Sequence, residues 1–207
     1  MAVNEASSRT TRGERTRARL AVAARSVLAE RGYAGTRVED IVAVAGVSHG
    51  TFYTYFENKT EVLDVLIDAA AAKLQAVVDE PWEGPGGSTV AAVIDQFVTA
   101  FTEHGDVAKV WIEASAYDDH FLQRLHQVRS GYVRRVAQVL EPALEGSGHD
   151  PAVAAAALVA MVEGYATQGL HDRQTQDRSE VVRTLTNLWL GGVVRLADGP
   201  SGPENSR

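Results

Sequence analysis

Between Thr36 and Lys59 the sequence TRVEDIVAVAGVSHGTFYTYFENK gathers side chains suited to contact with a nucleic acid. Ser48, His49, Gly50, Thr51, Tyr53, Thr54 and Tyr55 supply hydroxyls, an imidazole and a stretch of bare backbone, with no acid among them. Phosphate oxygens accept hydrogen bonds, and base edges in a major groove present donors and acceptors. A short, polar, acid-free helix face is therefore a chemical match for double-stranded DNA. Phe52 and Phe56, one turn apart, together with Val47, give the same segment an edge to bury. The plainer reading is two packed helices with no ligand, which this pattern alone does not distinguish.

Other chemistries find less support. The chain has no cysteine, which removes disulfides, zinc–thiolate sites and thiol nucleophiles. The histidines at 49, 104, 120, 126, 149 and 171 do not fall at the H-x-x-x-H spacing of a helical zinc site. No serine lies in a G-x-S-x-G turn, and the string Gly84-Pro85-Gly86-Gly87 lacks the lysine of a phosphate loop. No metal, cofactor or enzymatic activity is expected.

Charge first argues against DNA and then for it. The 207 residues carry a formal charge of −7. Residues 1–62 hold nine Lys and Arg against seven Asp and Glu, whereas residues 63–207 hold eleven against twenty. A basic end on an acidic body is the asymmetry expected if only that end meets DNA. A solvated tail would also produce it. The first residues carry arginine without an apolar run behind it, unlike a secretory signal, and no apolar stretch is long enough for a transmembrane helix. A cytoplasmic location is expected, with no membrane partner.

The elements that must position these groups read as about nine helices in an all-α fold. Residues 1–13 are polar and are expected to form a disordered basic arm. From Glu14, Leu20, Ala24, Val27 and Leu28 recur at helical spacing, and Gly32 stands where a helix ends. Thr36 with Glu39 has a capping-box pattern for the next helix, with Val38, Ile41 and Ala45 facing inward. Gly46 makes the turn, Ser48 caps the short third helix, and Asn58 with Glu61 starts the fourth, which runs to about Asp79. Glu80–Gly87 reads as a loop. Helical patterns then cover Ser88–Glu103, Val107–Ala116, Asp118–Leu144, Asp150–Leu170 and Asp177–Leu196. The expected domains are a DNA-binding domain over 14–60, with its fourth helix running on to about 74, a ligand-binding and dimerisation domain over 61–197, and a disordered tail over 198–207.

The run AGVSHGTFYTYFENKTEVL resembles the signature of the tetracycline-repressor (TetR) family, A-G-V-S-x-G-T-x-Y-x-x-F-x-x-K-x-x-L, and the likeness extends from Thr16 to about Leu74. Val42 departs from it, since alanine is usual there. The resemblance implies a homodimeric repressor that binds a palindromic operator through a helix-turn-helix and leaves it when a small effector binds. It further implies that Thr36 offers its hydroxyl and backbone N–H to a phosphate, with Arg37 beside it. His49, Gly50, Thr51 and Thr54 would lie at bases, Tyr53 and Tyr55 at bases or phosphates, and Lys59 would anchor a phosphate at a helix start. Arg9, Arg12, Arg15 and Arg17 would reach backbone or minor groove.

The rest of the chain is less legible. Ala152, Ala154–Ala157, Ala160 and Gly164 in one helix, and Val181, Leu185, Leu188, Trp189, Gly191, Gly192 and Val193 in the last, suit a close helix–helix contact, either between two subunits or inside one. In the family, helices five to eight enclose the effector. By that resemblance Phe97, Phe101, His104, Trp111, Tyr117, Phe121, Met161 and Tyr165 are candidate pocket residues for a hydrophobic ligand, with Glu163 as a polar neighbour or an ion-pair member. Aromatic residues at helical spacing also serve as plain core. A DNA-binding regulator without an effector would share every feature of the first domain.

Overall fold

The structure is a computed structural model that describes residues 2–79, 87–171 and 177–197. Over these residues it consists of nine helices and no strand. They are α1 (Ala2–Gly35), α2 (Val38–Ala45), α3 (His49–Tyr55), α4 (Lys59–Asp79), α5 (Gly87–Glu103), α6 (Gly105–Ser115), α7 (Asp119–Leu144), α8 (Pro151–His171) and α9 (Arg178–Ala197). The segment 80–86 and the tail 198–207, read from sequence as loop and disordered tail, lie outside the described residues.

Two expectations about the first third change. The arm expected over 1–13 is helical from Ala2 and continuous with α1. Polarity suggested disorder there, but the segment holds no proline and no glycine before Gly13, so nothing in it breaks a helix. The cap of α2 shifts by one residue. Arg37, not Thr36, is the extended capping residue, and its N–H donates to Asp40 at 3.2 Å, so Asp40 takes the place assigned to Glu39.

The remaining punctuation is as expected. Gly32 (φ 70°, ψ 175°) breaks the helical path near the end of α1, and Gly46 (φ 63°, ψ 41°) ends α2 in the left-handed region. The Ser48 hydroxyl accepts from the Thr51 N–H at 3.2 Å, and Asn58 Oδ1 accepts from the Glu61 N–H at 3.0 Å. Asp150 and Asp177 cap α8 and α9 through the N–H groups of Ala152 and Ser179.

The chain forms two compact units. The first comprises residues 1–71 and 106–125, and the second residues 72–105 and 126–207. The division falls inside α4 and inside α7. Ion pairs show why α6 and the start of α7 join the first unit. Arg25 of α1 grips Asp106 with two hydrogen bonds of 2.6 and 2.7 Å. His120 and Arg124 of α7 both reach Asp64 of α4, at 2.9 and 3.0 Å, and Arg124 also pairs with Asp68. In this unit Leu20, Leu28, Ile41, Phe52, Phe56 and Leu63 are buried. In the second unit α5 packs on α8 and α9 around a core that includes Ile94, Phe97, Tyr132, Leu140, Ala155, Leu185 and Trp189.

Gly32 is held in a conformation essentially closed to other residues, and a Cβ there would meet the Glu113 carboxylate at 2.5 Å. Gly32→Ala is therefore expected to destabilise the protein by about 1–3 kcal/mol in denaturant unfolding. An unchanged midpoint would mean the connection is not so constrained.

Candidate nucleic-acid interface and apolar cavity

The short helix α3 has one edge inside and one outside. Phe52 and Phe56 are completely or almost completely buried, with ring centroids 5.8 Å apart. His49, Gly50, Tyr53 and Thr54 are exposed, and Thr51 and Tyr55 are half-exposed. Anchored at its aromatic edge and capped by Ser48, α3 turns these polar groups to solvent as one surface. Part of their capacity is already used. Ser48 and Thr51 hydroxyls lie 2.9 Å apart, and the Thr54 hydroxyl donates to the Gly50 carbonyl at 2.9 Å. Each hydroxyl oxygen can still accept.

Beside α3 an open groove is lined by Arg12, Gly13, Thr16 and Arg19 of α1, by Gly46 and Val47 of the turn, and by Thr51 and Tyr55 of α3. Arg12 and Arg19 are exposed cations at its edge. Arg19 was not singled out from sequence, because a single arginine in a basic helix carries no signal of which way it faces. Arg17, expected in the arm set, stands over the Phe56 ring at 4.9 Å. The side chain of Arg9 lies outside the described residues.

Two residues expected at phosphates are engaged inside the protein. Thr36 is 1% exposed, its hydroxyl donates to the Gly32 carbonyl at 2.7 Å, and its N–H reaches the Tyr33 carbonyl. Its local role is to close the α1–α2 connection. Lys59 Nζ donates to the carbonyls of Tyr33 and Thr36 at 2.7 and 2.9 Å and lies 4.5 Å from the Tyr33 ring centre. Burial lowers the pKa of this ammonium, while nearby Glu113 works in the opposite direction. The Glu113 carboxylate also accepts from the Ala34 N–H at 3.2 Å. Lys59 thus holds the backbone leading into α2. Arg37, next in the chain, is exposed.

The second unit contains a small apolar cavity of about 40 Å³. Its walls are Val93, Ile94 and Phe97 of α5, Tyr132 and Val136 of α7, Val159 and Val162 of α8, and Trp189 of α9.

Residues 20–66 match the family described as bacterial regulatory proteins, tetR family, and residues 87–191 match the tetracyclin repressor-like C-terminal domain. The chain belongs to the TetR family. Among TetR-family proteins, it is 29% identical over 189 residues to the HTH-type transcriptional regulator EthR of Mycolicibacterium smegmatis, covering 87% of each chain. It is 22% identical to the fatty acid metabolism regulator protein of Bacillus subtilis, covering 83% of this chain and 92% of that one. The solved structure of the regulator FadR from Bacillus subtilis in complex with stearoyl-CoA superposes with a TM-score of 0.68 at 21% identity, over 84% of this chain and 97% of that one. These relatives are DNA-binding regulators and not enzymes. Among the described residues, no helix is long and apolar enough to cross a membrane.

In this TetR-family chain, only Phe97 of the eight expected pocket residues lines the cavity. Phe101, Met161 and Tyr165 are partly buried against the same core. His104 follows α5 and is half-exposed. Trp111 and Phe121 belong to the first unit. Both are buried there, and Trp111 Nε1 donates to the Phe121 carbonyl at 3.0 Å. Tyr117 is 70% exposed. The physical reason is the one that makes aromatic spacing ambiguous: a tryptophan fills a core as readily as it lines a pocket. Most of the wall is valine and isoleucine, which nothing in the sequence separates from ordinary core. Glu163 pairs with Arg129 at 3.0 Å, which fits the ion-pair reading.

Arg19→Ala is expected to weaken DNA binding at all sequences and reduce the salt slope by about one unit, with thermal stability unchanged. Lys59→Ala is expected to lower thermal stability as well as affinity, with less than a full unit of slope lost. Anisotropy titrations across salt, beside melting curves, separate the two. A full unit lost at unchanged stability for Lys59→Ala would return it to phosphate anchoring.

Proposed function

We propose that the protein is a homodimeric repressor that binds a palindromic operator through α3 and is released by a small hydrophobic effector. The observation that carries the DNA part is the exposed, acid-free face of α3 backed by buried Phe52 and Phe56. His49, Gly50, Thr51 and Thr54 are assigned to base edges or their neighbourhood. Ser48, Tyr53, Tyr55 and Arg37 extend that surface, with Arg12 and Arg19 at the flanking backbone. Thr36 and Lys59 act one step back, by fixing the start of α2.

Dimerisation through α8 and α9 is supported by two exposed stripes. On α8, Val153, Ala157, Ala160 and Gly164 are exposed at helical spacing. On α9, Leu188, Gly191 and Val194 are exposed, Leu188 at 56% and Val194 at 59%. The other apolar residues expected at this contact, Val181, Leu185, Trp189 and Val193, face the subunit's own core. A Cβ at Gly164 or Gly191 meets nothing within 4 Å, so both positions leave room for a partner backbone. A two-fold protein matches a palindrome, with half-sites spaced by roughly 34 Å per turn of DNA.

Effector release is supported by the apolar cavity, and the Bacillus subtilis FadR complex with stearoyl-CoA shows a similar fold holding a ligand with a long hydrocarbon chain. At about 40 Å³ the cavity is far below the 300–1,000 Å³ of drug-sized sites, so binding must expand it. Release then becomes a shift in population toward an expanded state whose two recognition helices are wrongly spaced. A coupling of about 1–3 kcal/mol corresponds to about 5–150-fold in affinity. The same small volume favours a second reading, a regulator without an effector. Thermal-shift screening of apolar compounds, with DNA binding as the second readout, discriminates them: stabilisation accompanied by release supports the first, and no stabilisation by any compound supports the second.

Leu188→Glu is expected to convert the dimer to a folded monomer in sedimentation analysis and to weaken operator binding at least about tenfold, through lost two-site engagement. A persistent dimer would remove α9 from the interface.

A further inference from the structure

The ring of Tyr132 of α7 contributes to the cavity wall, which no polar atom lines, and the residue is 3% exposed. Its ring meets Phe97 edge-to-face at 6.1 Å. Its hydroxyl is buried and has no hydrogen-bond partner. Folded proteins seldom leave such a group unpaired, because it loses its water without replacement. Two other buried polar atoms among the described residues share this state, but neither concerns the cavity. Arg124 Nε belongs to a guanidinium already paired with Asp64 and Asp68, and Thr186 is not a wall residue.

The surroundings select what could satisfy this hydroxyl. Burial and the nearby Glu163 carboxylate push the phenol well above its ordinary range, so it keeps its proton and is a donor. Glu163 is itself buried enough to be shifted upward, although Arg129 opposes that shift. A charged ligand of either sign would lose its water against a wall of valine, isoleucine and aromatic rings, and Glu163, the acid near Tyr132, is already paired with Arg129. An uncharged acceptor fits both constraints.

We propose that Tyr132 is the polar anchor of the effector cavity, and that the effector is an uncharged, apolar molecule bearing one compact hydrogen-bond acceptor such as a ketone, ester or amide carbonyl. This rests on the effector reading above. The hydroxyl that is orphaned in the unliganded state gains its partner when the cavity expands around the ligand. Ligand binding therefore removes a penalty that the unliganded state carries, and this biases the population toward the expanded form.

The test compares acetophenone with cumene, which place a carbonyl or a branched alkyl group on the same ring. Each is titrated into the full-length protein and into Tyr132→Phe, with binding followed by ligand-observed NMR. Tyr132→Phe is expected to weaken acetophenone by about fivefold to tenfold and to leave cumene within about twofold. The unliganded variant should melt no lower than wild type, because the deleted oxygen had no partner. An equal change for both ligands, or a clearly lower melting temperature, would overturn the anchor while leaving an apolar effector cavity in place. Val159→Phe, which fills the cavity, should abolish binding of both compounds; binding that survives in the folded variant places the site elsewhere and overturns the proposal. If neither compound binds wild type, the anchor is overturned, while the effector reading still stands or falls on the wider apolar screen.

Discussion

The ammonium of Lys59 is set between the carbonyls of Tyr33 and Thr36 and over the Tyr33 ring, and the geometry of α2 and α3 depends on it. Buried backbone carbonyls at a tight connection need donors, and here one side chain from the start of α4 serves two of them. Around it, Gly32 takes a backbone conformation that side-chain-bearing residues rarely adopt, and the Thr36 hydroxyl closes back on Gly32. The result fixes where α2 begins. Since α2 packs on α3, it also fixes where the exposed face of α3 points.

That arrangement divides labour by position. Groups that face outward on α3 are free to meet a ligand, while the aromatic edge and the α1–α2 connection hold them in place. A helix of seven residues has little stability of its own. Burial of Phe52 and Phe56 and the Ser48 cap must supply it, so the exposed face of α3 is as firm as the core behind it. The second unit works with opposite material. Its cavity is small, the walls are apolar, and the unpaired hydroxyl of Tyr132, a wall residue, marks where the packing is incomplete.

The sequence made the punctuation legible. Gly46, Ser48 and Asn58 do in the structure what their residue types require, since αL glycine and side-chain caps are local devices. The aromatic edge and polar face of α3 also followed from spacing. What escaped was direction over long sequence separations. Lys59 and Thr36 carry the right chemistry for phosphate, and only the fold shows that the Thr36 hydroxyl and two of the three Lys59 N–H donors go to carbonyls. Trp111 and Phe121 have the spacing of pocket residues, yet fill the core of the first unit. The grouping of α6 and the start of α7 with the first unit escaped for the same reason, because ion pairs such as Arg25–Asp106 join residues that lie 81 apart in the chain. Tyr132 was invisible because a lone tyrosine in an amphipathic helix says nothing about whether its hydroxyl finds a partner.

The central claim is that two copies of α3 read successive major grooves. Hydroxyl-radical footprinting on the DNA flanking the protein's own gene tests it most directly. The account predicts two symmetric protected patches whose centres lie one helical turn or a small multiple of it apart, both lost when His49 and Tyr53 are replaced by alanine. A single asymmetric patch, or a footprint unchanged by those substitutions, would contradict it.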